Sequence, residues 1–534
     1  MLPKPMKHNY FHHLKHDLPA GIVVFLVALP LCLGIALASG APLFAGLVTG
    51  IIGGTVVAWA SGSQLSVSGP AAGLTVIVLT AIQKLGSFEA FLLSVTLAGV
   101  LQLALGILRA GVIGAYFPAS VIKGMLAAIG LILIMKQLPH AVGYDAELEG
   151  DETYMPLNAE DTVLDLFRSF GAISPSATTV AVVAILIMLA WETTFIKKNR
   201  ILGLVPGPLV AVLWGVGYNV LTSIYLPEYR ILNEHLVNLS AVAGLGDFVN
   251  HLTHPDFSQW RNPEIYVIAT TVAIVASLET LLSLEAVDKL DPLKRVAPTN
   301  RELRAQGIGN IISGLIGGLP MTAVIVRSAA NVNAGGRTKM ASFIHGLLLL
   351  FSVCMLTWAL NLIPLAALAA ILLLTGYKLA KPQHFVEMYR KGPNQLIPFV
   401  MTILAILVTD LLKGIGIGMV IGLYFVVRAN FHAAMSLTQD GRNYLLRLQK
   451  DVSFLNKALL RSYLQSIQPA SYVIIDASRA QFVDQDILEA IEDFVAASGE
   501  QDIKVELRNF GSLIGAPRVD PAPASKRPGT EAVP

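Results

Sequence analysis

Apolar residues in this chain come in repeated blocks of about twenty, the length that carries an α-helix across a bilayer. Such blocks lie near 18–38, 42–61, 66–83, 88–108, 112–138, 177–196, 202–224, 265–287, 304–319, 320–333, 340–363, 364–380, 395–412 and 414–430. The pattern predicts a polytopic α-helical membrane protein with about 14 transmembrane segments. Two blocks are unlike the rest. The third opens on Ser68-Gly69-Pro70 and the tenth on Gly318-Leu319-Pro320, and each leaves only a short continuous helix. Short Gly/Pro-interrupted segments at matching places in two halves are the mark of an inverted repeat with its site near the bilayer midplane. Seven spans per half give a 7+7 arrangement in which the halves run oppositely.

From about residue 431 the pattern changes to short strands and amphipathic helices. Tyr444–Leu448, Tyr472–Asp476 and Ile503–Arg508 read as strands, and Leu455–Ile467 and Asp484–Ala497 as helices. The expected organisation is a tail (1–16), a transmembrane domain (17–430), a linker (431–441), a small α/β domain (442–512) and a Pro-rich disordered tail (513–534). Leu18–Ala38 could imitate a signal peptide, but its apolar region is too long and many spans follow, so it reads as the first transmembrane helix.

Loop charge orients the chain. Lys197, Lys198 and Arg200, the segment 289–304, Arg337 and Lys339, and the segment 378–391 place Lys and Arg on the side of the N-terminus. By the positive-inside rule that side is cytoplasmic, in a plasma (bacterial inner) membrane, and the α/β domain lies there too. The loop 139–176 carries Asp145, Glu147, Glu149, Asp151, Glu152, Glu160, Asp161 and Asp165 against Arg168 alone, and falls outside with the loop 226–264. Composition agrees with a membrane protein: 54% hydrophobic and 14% charged residues, with a mean hydropathy of +0.64. A net charge of +2 gives no nucleic-acid footprint. Cys32 and Cys354 both fall in apolar blocks, as packing residues do.

Two charges sit at membrane depth. Arg327 lies in the tenth block and Glu279 in the eighth, with Ser283 one turn on along the same helix face. An Arg at the centre of a transmembrane helix costs roughly 2.5 to 3.5 kcal/mol on insertion scales and is normally accompanied by an anion, a carboxylate or water. Helices starting near Pro70 and Pro320 and facing each other would each present about half a positive charge and free N–H groups. The donors would come from Ala71, Ala72 and Gly73 and from Met321, Thr322 and Ala323, with Ser328 beside Arg327 and Arg327 about two turns into the second helix. The forked guanidinium suits an oxyanion. Two plainer readings stand beside this one: Arg327 snorkelling to the cytoplasmic interface, and Glu279 and Arg327 forming a fixed ion pair between two helices. With the half charges of the helix ends, the cradle carries about +2 when Glu279 is protonated and about +1 when it is ionised. Protonation would then favour a divalent oxyanion, the behaviour required of a proton-coupled carrier. Lys84, Lys123, Lys136, Glu192 and Asp410 sit at block ends, and Glu285 and Asp288 near the interface; Pro30 is expected to break or kink the first helix.

With these residues in place, the chain resembles the SulP (sulfate permease) anion transporters over nearly its whole length. The resemblance is carried by Asp17-Leu18-Pro19-Ala20-Gly21, by Ala28-Leu29-Pro30, by Ser68-Gly69-Pro70, by the segment from Asn300 to Asn310, by Arg327-Ser328 and by Ala334-Gly335-Gly336-Arg337-Thr338. It implies core and gate domains, elevator-like movement, a homodimer, an anion site between the third and tenth helices and a C-terminal STAS-like domain. It also matches Arg327 to an anion-site Arg of the family's mammalian exchangers, prestin included. Glu279 matches a carboxylate tied to protons in some bacterial members. In a similar sodium-coupled cyanobacterial bicarbonate transporter that carboxylate is an Asp and the Arg is missing, so Arg327 speaks against sodium. At Asp484-Gln485-Asp486 no hydroxyl stands where related sporulation regulators are phosphorylated. The expected function is secondary transport of a small oxyanion, sulfate first, by proton symport. Bicarbonate, dicarboxylates such as fumarate, exchange, a channel of the same fold and a membrane sensor remain alternatives. No nucleophile, metal-spacing motif or phosphate loop points to an enzyme, a metal or a cofactor.

Overall fold

The computed structural model describes residues 13–112, 118–144, 173–198, 205–240, 244–409, 411–432 and 434–510. The tail before residue 13, the acids from Asp145 to Asp165 with Arg168, Arg200, Asp410 and the tail from residue 511 lie outside the described residues. The chain forms two compact units, residues 1–420 and 421–534.

In the first unit the apolar blocks become helices α1 (Leu14–Ala38), α2 (Leu43–Ala60), α3 (Ala72–Leu85), α4 (Phe88–Ile107), α5 (Ala119–Ala141), α6 (Pro175–Trp191) and α7 (Gly207–Tyr225). The second half supplies α8 (Pro263–Leu290), α9 (Thr299–Leu315), α10 (Ile325–Asn333), α11 (Met340–Met355), α12 (Leu365–Leu379), α13 (Pro393–Val408) and α14 (Leu411–His432), which runs on into the second unit. Among the described residues seven helical stretches, the last of them Leu365–Arg390 beginning with α12, are long and apolar enough to cross a membrane, and α3, α6, α11 and α13 are shorter apolar helices. The fold is a polytopic helical membrane protein built as a 7+7 inverted repeat, with a small C-terminal α/β domain.

The break in each half is explicit. Ser68–Pro70 forms strand β1 immediately before α3, and Met321–Ala323 forms β2 immediately before α10. The two pair antiparallel, Ser68 with Ala323, Gly69 with Thr322 and Pro70 with Met321. An antiparallel ladder sends its chains out at opposite ends, so α3 and α10 leave in opposite directions with their N-termini turned toward each other. Three residues of strand separate the two starts, roughly 10 Å at about 3.3 Å per residue.

The expected break at Pro30 is absent. Helix α1 runs through Pro19 and Pro30 without interruption. A membrane helix tolerates proline where neighbouring helices enclose it, and everything from Cys32 to Ala38 is buried. The start of α1 is fixed by Asp17, whose buried carboxylate accepts the Arg337 N–H (2.7 Å), the Thr338 N–H (3.0 Å) and the Thr338 hydroxyl (2.5 Å). Asp17→Ala strands the two buried donors of Thr338, at about 1 to 3 kcal/mol each, and the part-buried N–H of Arg337. The expected outcome is a markedly lower thermal midpoint in detergent, with Asp17→Asn between the two.

Lys123 and Glu192 at block ends, and Glu285 and Asp288 near the interface, have structural partners. Lys123 pairs with Glu387 at 2.7 Å, and Glu192 with Lys378. Glu285 pairs with exposed Lys289, and Asp288 accepts the Ala297 N–H.

The second unit carries a four-stranded sheet in the order β3-β4-β5-β6, formed by Met435–Asp440, Asn443–Leu448, Tyr472–Asp476 and Lys504–Arg508. The first pair is antiparallel and the other two are parallel. Helices α15 (Lys457–Gln465) and α16 (Gln485–Ser498) pack on it around Leu446, Leu460, Val473, Ile475 and Ile487. One correction concerns the stretch 431–441: it is no linker, because it contains β3. Its apolar residues are only Met435 and Leu437, and only Met435 is buried, so too little of it is apolar to stand out in a hydrophobic pattern. Asp484 caps α16, accepting N–H groups of Asp486 and Phe454, and Asp486 pairs with Lys457 at 2.7 Å.

Candidate functional site

The β1–β2 ladder is held by polar side chains from three other helices. Asn310 on α9 accepts the Met321 N–H (2.7 Å) and donates to Gln102 on α4 (2.5 Å). Gln102 in turn donates to Ser277 on α8 (3.2 Å). Gln306 donates to the Ser68 hydroxyl (2.7 Å) and to Glu302 (3.0 Å), whose other oxygen accepts from Ser61. Thr280 accepts the Ala323 N–H at 3.3 Å. Irregular backbone at membrane depth survives only when its N–H and C=O groups are satisfied by the protein. Small residues let α4 and α9 come close enough for this: Gly99 and Gly106 lie against the backbone of α9.

These bonds correct the expected cradle. Met321, Thr322 and Ala323 are strand, not helix, and the N–H groups of Met321 and Ala323 are engaged by Asn310 and Thr280. Helix α10 begins at Ile325, so Arg327 stands in its first turn and not two turns in. Placing the start at Pro320 overlooked that a strand could intervene in so short an apolar stretch. The Ser328 hydroxyl accepts the Val67 N–H (2.9 Å) and donates to the Val324 carbonyl (2.7 Å). Its single proton is thereby committed to stitching α10 to the approach of β1.

On the other side the helix starts close to the expected place, but one of the expected free donors is taken. Ala71 caps the helix, Ala72 opens it, and Gly73 donates its N–H to the Glu279 carboxylate. A Cβ on Gly73 would stand 2.7 Å from Glu279 Oε2, and one on Gly69 would collide with Arg327 Nη1. Gly73→Ala is expected to displace Glu279, and Gly69→Ala to displace the guanidinium. Each should reduce transport by an order of magnitude or more while the protein stays folded, checked by uptake beside size-exclusion profiles.

Arg327 is fully buried. Its Nη2 reaches the Pro70 carbonyl only at 3.5 Å, and its Nε and Nη1 have no acceptor. The guanidinium lies beside the Cys32 thiol of α1 and close enough to His345 of α11 for its charge to be felt there. Glu279 is partly buried against α3, with Oε2 lacking a hydrogen-bond partner. Among the described residues no ion pair joins Glu279 to Arg327, so the fixed-pair reading does not hold. Burial also removes the snorkelling reading. A buried donor left unpaired costs about 1 to 3 kcal/mol, and more when charged, and among the described residues nothing balances that cost at Arg327. Ser283 is buried one turn beyond Glu279.

Sequence reasoning missed the supporting residues. Gln102, Thr280 and His345 carry no charge or motif that separates them from ordinary polar residues in helices, and Cys32 read as packing. Gln306 and Asn310 fall within the segment 300–310, whose polarity inside a membrane block was the signal available.

Two antiparallel broken helices, their N-termini converging beside a buried cation and a separate carboxylate, define a membrane transporter of the inverted-repeat class. The chain belongs to the Sulfate permease family, whose model matches residues 14–402. It is 26% identical over 431 residues to "Putative sulfate transporter YvdB" of Bacillus subtilis (strain 168), covering 79% of this chain and 76% of that one. It is 25% identical over 418 residues to "Bicarbonate transporter BicA" of Picosynechococcus sp., covering 77% and 69%. Among solved structures it resembles the transmembrane domain of a cyanobacterial BicA, with a TM-score of 0.62 at 23% identity over 77% of this chain and 98% of that one. It also resembles SLC26A9, with a TM-score of 0.75 at 17% identity over 94% and 85%. The family is one of transporters, not enzymes.

Proposed function

We propose that this protein is a secondary active carrier of a small oxyanion, held between α3 and α10 at the converging helix starts and the charge of Arg327. The observation that carries this reading is Arg327 itself, buried at the end of the β1–β2 ladder with, among the described residues, no acceptor for two guanidinium nitrogens and no carboxylate paired to it. Arg327, Ala71 and Ala72 are the residues proposed to bind the anion; Gly73, whose N–H is held by Glu279, positions that carboxylate beside it, and Met321, Thr322, Ala323 and Ser328 shape the ladder behind it. Sulfate is the first candidate, supported by the relatives named for sulfate, and bicarbonate the second.

Glu279 is the proposed proton-coupling residue, with Ser283 on its helix face. It stands one helix start away from the cation, is not neutralised by it, and holds only the Gly73 N–H. Adding a proton there raises the charge of the cradle by one unit, and a divalent anion gains from it. The carrier is proposed to sit in the plasma membrane as a homodimer, with the N-terminus and the STAS-like α/β domain in the cytoplasm. Labelled sulfate, bicarbonate and fumarate taken up into proteoliposomes, with and without an inward proton gradient, test this. Saturable uptake of one anion driven by the gradient supports symport. Gradient-indifferent uptake stimulated by internal anion would replace symport by exchange.

A further inference from the structure

On α11, Ser342, His345 and Leu349 share one face by their spacing. All three are buried, and Leu349 meets the space beside Gly50, where an added Cβ would stand 2.7 Å from both Leu349 Cδ1 and Cys32 Sγ. Cys32 lies beside Arg327. The face of α11 bearing His345 is therefore turned toward the interior region that holds the guanidinium.

The polar groups there are unmatched. His345 is fully buried and, among the described residues, neither ring nitrogen has a partner; the Ser342 hydroxyl is equally alone there, as are Arg327 Nε and Nη1. A structural histidine normally satisfies at least one nitrogen, because burying both unpartnered carries a penalty without return. A neutral imidazole offers one N–H donor and one acceptor nitrogen, and among the described residues neither is engaged, by the guanidinium or by any other group. Both features resolve if an oxyanion, or an oxyanion with its water, completes them, accepting from the guanidinium and from an imidazole N–H together.

We infer that the anion site extends to α11, where His345 is a second anion-facing residue that sets affinity alongside Arg327. This rests on the reading of Arg327 as the anion-site cation. Full-length protein in proteoliposomes is assayed for uptake of labelled sulfate and bicarbonate as wild type, His345→Leu, His345→Gln and Arg327→Gln. In His345→Leu, KM for the transported anion rises about tenfold or more, the effect of one lost charge-assisted hydrogen bond, while kcat changes less. His345→Gln, which keeps an N–H of similar reach, recovers much of the affinity. An unchanged KM in folded His345→Leu overturns the inference, and so does a loss of kcat at constant KM in both His345 variants. Normal uptake by Arg327→Gln would instead overturn the site itself, so the two failures are separable.

Discussion

Arg327→Ala is expected to eliminate saturable anion uptake without unfolding the protein. Removing a buried charge that meets a ligand's charge costs about 2 to 5 kcal/mol, which is roughly 30- to several-thousandfold in affinity. Stability should move the other way from most buried truncations. Because no carboxylate among the described residues is paired with Arg327, its removal leaves no buried counter-charge there, the usual source of collapse when a buried pair is broken. Arg327→Met, which keeps most of the side-chain volume, should melt at or above the wild-type temperature in detergent and still not transport. Arg327→Lys keeps a charge but loses the planar fork, and should retain weak uptake with a raised KM. A loss of transport tracking a loss of folded protein in all three variants would return Arg327 to a structural role.

Glu279→Gln is expected to keep anion binding and lose the dependence of uptake on a proton gradient. The amide preserves the side-chain shape and can still accept the Gly73 N–H, so the start of α3 should stay in place. The Gln cannot ionise, so the cradle is held permanently at its higher charge. Binding of a divalent anion should therefore be as tight as in the wild type at low pH and should no longer weaken as pH rises. Counterflow, with labelled anion outside and unlabelled anion inside, should persist. A variant that still concentrates anion in response to an inward proton gradient would remove Glu279 from the coupling role.

The membrane architecture was legible because bilayer thickness imposes one length on every span and leaves apolar blocks that no soluble fold needs. The same logic marked the two odd blocks, since Gly and Pro at their openings break a span that should be continuous. What those openings become was not legible. A three-residue strand at 321–323 is too short to show a period of two, and its pairing with 68–70 lies some 250 residues away in sequence. Arg327 and Glu279 were visible as charges out of place, yet their separation was not, because sequence does not say whether two opposite charges meet. His345 and Gln102 stayed hidden for the opposite reason: polar residues inside helices are common, and only the count of partners around each one distinguishes a satisfied side chain from a poised one. In the C-terminal domain, β5 was readable from its apolar run Tyr472–Asp476, whereas β3 offers only one buried residue.

Equilibrium binding of radiolabelled sulfate to purified protein, wild type against Arg327→Met, tests the central claim most directly, because it needs neither a gradient nor a working transport cycle. The account predicts saturable binding to the wild type, competed by whichever anion is transported, and none to a folded, monodisperse Arg327→Met. Equal affinity in the two proteins would contradict it, and would place the anion away from the buried guanidinium.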